Sequence, residues 1–231
     1  MPAIMGGPVR IGLIADVHAN VVALEAVLAE LPPVDRLVCL GDVVGYNPWP
    51  AACLELVRER CAMTVQGNHD RNVETPERYR GNEMAYAGLR HAAERLSDPQ
   101  REWLASRPRR LTVDGASVLV VHDHPTDQDR YVYPADAATI PETVEAATVC
   151  CLGHTHVQFA TREEGVLVVN PGSVGQPRDG DPRAGFAVIE TGGEAPQATL
   201  HRVGYDIERV QQRIGAVGLP DRTAARLAEG R

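Results

Sequence analysis

The first third of the chain alternates apolar runs with stretches of helical spacing. Residues 9–15 (Val-Arg-Ile-Gly-Leu-Ile-Ala) are nearly continuously apolar, as expected for an interior strand. Similar runs follow at 35–40 and 61–65. Between these runs, one helical pattern begins after Asn20 and another continues to about Arg60. This order predicts right-handed crossovers and a largely parallel sheet in an α/β fold.

The remainder of the chain changes period at about residue 109. Residues 77–106 have helical character, and Leu96-Ser97-Asp98-Pro99 reads as the end of one helix and the capped start of another. Short apolar runs then predict a second set of strands, with turns at Gly115, Gly165 and Gly192-Gly193. These runs are 109–113, 116–121, 147–152, 157–161, 165–169, 184–190 and 196–203. A last helix is predicted over 206–215, with a short polar tail after Pro220. We interpret residues 1–231 as one domain, because candidate ligands lie on both sides of the change.

Composition narrows the class of protein. The chain has 231 residues, of which 44% are hydrophobic and 23% charged, and these values are typical of a globular protein. No apolar run is long enough for a membrane span and no export signal opens the chain, so we expect a cytoplasmic protein. The five cysteines include no C-x-x-C pair, which favours free thiols in a reducing compartment.

Charge limits the partners. The formal net charge is -8 and the chain contains no lysine, so arginine supplies all the basic side chains. A negative overall field repels long nucleic acid, and no basic run suits a duplex. A small anion held by metals remains compatible with this charge. The sequence does not indicate an oligomeric state.

Candidate metal ligands occur in short motifs along the chain. Asp16, Asp42 and Asn68 each fall just beyond a predicted strand, at the edge where open α/β sheets place ligands. Singly, such residues often only end strands, and histidines are often only core residues. The ordered set favours a metal site: Asp16-x-His18, Gly41-Asp42, Gly67-Asn68-His69-Asp70, His122 and Gly153-His154-x-His156. Mixed imidazole, carboxylate and carboxamide donors suit Mn, Fe, Zn or Ni better than Mg or Ca.

This ordered set resembles the calcineurin-like metallophosphoesterases, and it is most similar to their small, single-domain prokaryotic phosphodiesterase branch. The stretches 16–20, 41–46 and 170–178 (Asn-Pro-Gly-Ser-Val-Gly-Gln-Pro-Arg) add to the resemblance, which spans roughly residues 9–203. It implies two stacked mixed β-sheets flanked by helices, an αββα sandwich. It also implies two ligand sets that share Asp42. One set is Asp16, His18, Asp42 and His156; the other is Asp42, Asn68, His122 and His154.

The implied activity is hydrolysis of a phosphoester. Two divalent ions, the two aspartates and a bridging hydroxide leave a residual formal charge of about +1, which favours a phosphate anion. The hydroxide would attack phosphorus in line, with the metals roughly 3.5–4 Å apart. His69, beside Asn68, is the predicted general acid for the leaving oxygen. Manganese is the expected metal, with iron, zinc or nickel as alternatives.

Further residues near the motifs are candidates for substrate contacts. Arg178 is a candidate phosphate clamp, although it could equally brace its own turn-rich loop. His124 is a second candidate contact. Asn20 is a third, and a helix cap is its alternative role. Asp70 could orient His69 or cap the helix that follows.

The sequence departs from the branch after the strand at 116–121. The usual His-Gly is replaced by His122-Asp123, which adds a carboxylate beside the site and removes easy access to positive φ. Asp123 could therefore perturb the second metal or turn outward. Tyr131 and Tyr133 could flank the mouth of the substrate site, but packing is the favoured assignment.

Three functions are consistent with these motifs. The leading hypothesis is a phosphodiesterase acting on small phosphodiesters or nucleotides. A phosphomonoesterase or a dinucleoside polyphosphate hydrolase would use the same attack with a different outer pocket. A catalytically silent scaffold would keep the fold, yet such relatives lose ligands that this chain retains.

Overall fold

The computed structural model describes residues 9–113 and 117–231, arranged as two five-stranded sheets flanked by helices. The strands are β1 (Val9–Ile14), β2 (Arg36–Cys39), β3 (Met63–Thr64), β4 (Arg110–Val113), β5 (Val118–Val121), β6 (Val149–Cys151), β7 (Phe159–Glu163), β8 (Val166–Asn170), β9 (Ala184–Thr191) and β10 (Gln197–Val203). The helices are α1 (Val21–Glu30), α2 (Pro50–Arg60), α3 (Asn68–Arg71), α4 (Glu83–Arg95), α5 (Asp98–Ala105), α6 (Ile207–Ala216) and α7 (Asp221–Glu229). Short 3-10 turns cover Pro76–Tyr79, Pro134–Thr139 and Pro141–Thr143.

The first sheet has the strand order β10-β9-β1-β2-β3. Strands β1, β2 and β3 are parallel, which confirms the prediction from the strand–helix alternation. Strand β9 runs antiparallel to β1, and β10 runs antiparallel to β9, so the sheet is mixed. Asn20 caps α1 by accepting a hydrogen bond from the Ala23 N–H at 3.1 Å. This hydrogen bond fixes the start of α1, the crossover helix between β1 and β2.

The second sheet has the order β4-β5-β6-β8-β7. Its central strands β5, β6 and β8 are parallel, and the edge strands β4 and β7 are antiparallel to their neighbours. The predicted turn at Gly165 joins β7 to β8 with a φ of +88°. The turn predicted at Gly115 lies outside the described residues.

The core lies between the sheets and on both outer faces. Ile11 and Leu13 of β1 pack with Val120 and Val169 of the second sheet, and all four side chains are essentially buried. The alternate residue Ile14 packs with the helices on the other face. Because both faces of β1 are covered, an apolar residue is favoured at nearly every position.

The helical interpretation of 77–106 is confirmed, because a 3-10 turn is followed by α4 and α5 with a break at Leu96 and Ser97. Two other features differ from the sequence predictions. The last two strands of the predicted second set, β9 and β10, return to the first sheet. The predicted polar tail after Pro220 is wrong, because residues 221–229 form α7. Its buried side chains, Thr223 and Leu227, lie one turn apart. Two buried positions in an otherwise polar segment are too few to give a helical apolar pattern in the sequence.

Helix length is modest throughout. In the stretches 9–113 and 117–231, no helix combines the length and apolar character needed to cross a lipid bilayer.

Candidate metal centre

The C-terminal ends of three strands, two from the first sheet and one from the second, meet at one edge of the sandwich. Asp16 and His18 follow β1, Asp42 follows β2, and His122 directly follows β5. Hydrogen bonds join these ends: Asp16 N–H donates to Gly41 O at 3.0 Å, and His18 N–H to Asp42 O at 2.9 Å. The strand edge therefore gathers residues that are more than 100 positions apart.

The first predicted ligand set converges as the resemblance implied. His18 Nε2 lies 3.1 Å from His156 Nε2. Asp16 Oδ1 lies 3.4 Å from His156 Nε2 and 3.8 Å from His18 Nε2. All three side chains are at most 3% exposed. Asp16 Oδ1 is buried and accepts no hydrogen bond in the described residues.

The second set lies beside the first. His122 Nε2 is 3.0 Å from Asn68 Oδ1 and 3.4 Å from Asp42 Oδ2. The same Asp42 oxygen lies 3.6 Å from His18 Nε2 of the first set. Asp42 Oδ2 therefore stands between the two sets, which is the position that a bridging carboxylate requires.

The ring nitrogens of the histidines are assigned by backbone carbonyls. The Nδ1 atoms of His18, His122 and His156 lie 2.9, 2.7 and 2.6 Å from carbonyl oxygens. An N–H at Nδ1 donates to each carbonyl, so the lone pair of the neutral ring is at Nε2, which faces the centre. His154 is reversed: its Nε2 lies 3.2 Å from Asp129 O, which leaves Nδ1 as the donor atom.

Asn68 is oriented in a comparable way. Its Nδ2 donates to the Tyr79 hydroxyl at 2.6 Å, so its Oδ1 is directed toward His122. Asn68 begins α3, four positions after β3 ends. The sequence analysis missed Tyr79, because it lies on a separate 3-10 turn with no motif of its own.

Backbone strain is concentrated in these loops. Five of the seven predicted ligands have positive φ: Asp16 (52°), His18 (44°), Asp42 (54°), His154 (69°) and His156 (61°). Residues other than glycine rarely adopt this region, and each instance costs about 1–3 kcal/mol. Such strain persists where surrounding structure imposes it, and it clusters at functional sites.

Burial controls the charge of the histidines. Burial lowers the pKa of His18 and His156 well below the usual value, and it lowers the pKa of His154 to about 4. Burial also opposes protonation of His122, but the carboxylates of Asp42 and Asp16 outweigh it and raise its pKa to about 10. Three of the four predicted ligand imidazoles are thus neutral at pH 7, the form that binds a metal.

The two carboxylates differ. Burial, with Asp42 as neighbour, raises the pKa of Asp16 to about 7 despite the opposing effect of His122. Burial would also raise the pKa of Asp42, but His122, His69 and His18 together hold it well below its usual value. Two buried carboxylates, neutral imidazoles and an amide oxygen, all directed inward, fit divalent cations.

His69 lies against the same cluster of side chains. Its backbone N–H donates to Asp42 Oδ1 at 2.8 Å, and its ring lies 4.8 Å from the rings of both His18 and Tyr46. His69 Nδ1 is buried against Gly45 without a hydrogen-bond partner in the described residues, which leaves Nε2 as the nitrogen available for chemistry. Burial lowers the pKa of His69 to about 4, although Asp42 opposes this. Distance alone would also allow His69 to join His18 and Asp42 as a ligand.

Asp70 does not contact the His69 side chain. Its Oδ1 accepts from the Val43 and Val44 N–H groups at 2.9 and 3.3 Å, and its Oδ2 accepts from the Gly67 N–H at 3.1 Å. Asp70 therefore does not orient His69 through a hydrogen bond; it braces the loop after β2 and the start of α3.

Of the three candidate substrate residues, Arg178 lies beside the ligand loops, whereas Asn20 and His124 are buried and engaged in hydrogen bonds of their own loops. Arg178 Nη2 donates to the Tyr46 hydroxyl at 3.1 Å and to Gln176 Oε1 at 3.0 Å, beside the ligand loops. Asn20 is fully buried, caps α1 and donates to Gly175 O at 3.1 Å, so it braces loops. His124 is also buried, and its Nδ1 accepts from the N–H groups of residues 126 and 127.

Asp123 is buried, and its hydrogen bonds go to groups outside the predicted ligand set. Its Oδ2 accepts from the Asp129 N–H at 2.7 Å, and its Oδ1 lies 3.4 Å from Arg109 Nη2. The carboxylate that replaces the usual glycine thus fastens the loop over 123–133.

Comparison with known proteins gives the family of this chain. Residues 9–194 match the model of the calcineurin-like phosphoesterase superfamily domain. The chain belongs to this family. It is 36% identical to the crystal structure of a metallophosphoesterase from Sphaerobacter thermophilus, with a TM-score of 0.85, and the match covers 97% of this chain and 100% of that one.

Two further proteins are similar to this chain over most of their length. The hypothetical protein PH1004 from Pyrococcus horikoshii shares the fold with a TM-score of 0.84 at 21% identity, covering 96% of this chain and 99% of that one. The uncharacterized protein MJ0912 of Methanocaldococcus jannaschii is 29% identical over 245 residues, which cover 96% of this chain and 98% of the relative. The family and the buried His/Asp groups together indicate a phosphoester hydrolase with metal-binding capacity.

Proposed function

We propose that this protein is a binuclear metal-dependent phosphodiesterase that hydrolyses small phosphodiesters or nucleotides. The observation that carries the proposal is the position of Asp42 Oδ2, between His122 Nε2 at 3.4 Å and His18 Nε2 at 3.6 Å. A single buried carboxylate oxygen between two imidazole acceptors serves two cations better than one.

The residues that would hold the cations form two sets with Asp42 shared. Asp16, His18 and His156 complete one set, and Asn68, His122 and His154 complete the other. The bound cations would supply Lewis-acid charge for the phosphoryl oxygens and lower the pKa of an attacking water. Manganese is the metal we propose, and iron, zinc or nickel suit the same donors.

His69 is the proposed proton donor to the leaving oxygen, through Nε2. Its pKa of about 4 means that the ring is neutral in the protein alone at pH 7. A phosphate anion arriving beside it stabilises the imidazolium and raises this pKa. The proton is therefore taken up with the substrate, and it is available when charge develops on the leaving oxygen.

Arg178 is the proposed phosphate contact. One of its nitrogens binds Tyr46 and Gln176, while its Nε is buried without a partner. Tyr46 in turn contacts the rings of His18 and His69. This position suits a guanidinium that binds an anion next to the proton donor.

Two single substitutions test the proposal on a chromogenic phosphodiester with added Mn(II), with and without chelator. His69→Ala should keep both metals and lose about 10²–10⁴ in turnover, with the largest loss for poor leaving groups. Asp42→Ala should lose the metals themselves. Near-normal turnover of an unactivated diester by His69→Ala would contradict the role of His69, and metal loss in that variant would make it a ligand.

The same assay separates the rival functions. Preference for a monoester or a dinucleoside polyphosphate would replace the diesterase assignment, because the attack is shared and only the outer pocket differs. A putative diadenosine tetraphosphatase has a similar structure, with a TM-score of 0.53 at 16% identity, and this similarity shows a shared fold only. Bound metal without any stimulated turnover would favour a scaffold.

Surroundings and partners are part of the proposal. The net charge of -8 suits a small phosphoester better than duplex nucleic acid. All five cysteines are free and four of them are buried, which supports a reducing compartment and hence the cytoplasm.

A further inference from the structure

Tyr131 and Tyr133 expose more of their surface than any other large hydrophobic side chain in the described part of the chain. Each is 45% exposed, whereas Val132 between them is 2% exposed and packs against the second sheet. The backbone here is extended, so alternate side chains point outward. The packing role assigned to the tyrosines from sequence is therefore incomplete.

The two rings continue an aromatic row that begins at the candidate metal centre. The His154 ring lies 5.1 Å from the His122 ring. Tyr131 stacks on His154 with centroids 4.1 Å apart and planes 9° from parallel. Tyr133 follows, 5.9 Å from Tyr131 and 23° from parallel. The row leads from the ligands to solvent.

The segment that carries the row is fastened at both ends. At one end, Asp129 makes three contacts. Its carbonyl oxygen lies against His154 Nε2, and its N–H donates to Asp123. Its carboxylate pairs with Arg71 Nη2 at 2.6 Å. At the other end the Tyr133 N–H donates to Asp136 Oδ2 at 3.0 Å. A ligand that stacks here would not need to order the loop, which saves entropy.

Ring contacts place Tyr131 next to the predicted ligands. Its ring covers one face of His154, whose ring in turn contacts His122. A group that binds on the tyrosine rings therefore lies beside a phosphate held at the centre.

We propose that Tyr131 and Tyr133 form a stacking platform for the nucleobase of a nucleotide diester. Every base offers a flat π-face, and stacking on an aromatic side chain contributes about 1–3 kcal/mol per base. An open row of parallel rings suits a planar group better than an alkyl chain, which would require an enclosed apolar pocket. This inference rests on the proposed function and adds the substrate class to it.

The test compares two diesters on the manganese-loaded enzyme. Adenosine 5′-(methyl phosphate) carries a base, and glycerophosphoethanolamine carries none. Tyr133→Ala should lower kcat/KM for the nucleotide by about 5–150-fold, mainly through KM, and leave the alkyl diester unchanged. Tyr131→Ala should lower the value for the nucleotide more than the value for the alkyl diester, because its ring also packs on His154. Tyr131→Phe should retain the wild-type value. Tyr86→Ala, which removes a tyrosine on α4, is the matched control.

A binding measurement keeps this inference separate from the catalytic proposal. Equilibrium dialysis of adenosine 5′-monophosphate and of inorganic phosphate requires no turnover. Weaker binding of the nucleotide alone in both alanine variants supports the platform, even if wild type hydrolyses neither diester and the proposed function fails. Equal losses for both ligands, or no loss for the nucleotide, would overturn the platform.

Discussion

Gly45 is the position where one methyl group should disable the candidate acid without touching a metal ligand. Its φ is +94°, and a Cβ there would meet His69 Nδ1 well inside 3.0 Å, whereas ordinary contact starts at 3.4 Å. The backbone strain of Gly45→Ala is about 1–2 kcal/mol. The imidazole must also move by about 1 Å, a displacement that can cost about 10²-fold in rate.

The assay follows turnover of an unactivated phosphodiester, metal content and thermal unfolding together. Gly45→Ala should lose about 10²-fold in kcat with its metals retained. Gly165→Ala is the matched control, because Gly165 has a similar φ of +88° and open space where the Cβ would be. It should lose comparable stability and keep full activity.

A double variant shows whether the methyl group acts through His69. If it does, Gly45→Ala combined with His69→Ala should be no slower than His69→Ala alone, since coupled residues are not additive. Full turnover of a metal-loaded Gly45→Ala protein, or a double variant much slower than His69→Ala, would refute the reasoning.

Three further outcomes are expected. At pH 8 the metal-free protein keeps His122 protonated, because its folded pKa of about 10 lies above the pH of the solution; metal loading should therefore release about one proton more from the wild type than from His122→Asn, seen by calorimetry in buffers of different ionisation enthalpy, and equal release from both proteins would contradict this state of His122. Asp123→Gly removes the hydrogen bond from the Asp129 N–H and should lower the free energy of unfolding by about 1.5–3 kcal/mol in chemical denaturation, with metal stoichiometry unchanged; metal loss would mean that Asp123 supports the ligands. Leu227→Ala should cost about 2–5 kcal/mol, since Leu227 is 1% exposed, and a smaller effect would mean that α7 is not firmly packed.

Local patterns were sufficient for the first three strands, for α1 and for the family. They were insufficient at the C-terminus, where α7 buries only Thr223 and Leu227 on a polar helix. They also placed β9 and β10 in the wrong sheet, because an apolar run identifies a strand without identifying its neighbour. Pairing depends on contacts distant in sequence.

The motifs by themselves determined which side chains could ligate a metal, because residue type and position after a strand are local properties. Only the tertiary structure decided the roles of their neighbours. Asp70 braces backbone amides, Asp123 fastens a loop, and Tyr79 orients the Asn68 amide. The physical reason is that hydrogen bonds and stacking depend on distances of a few ångströms between residues far apart in the chain, which no local spacing specifies.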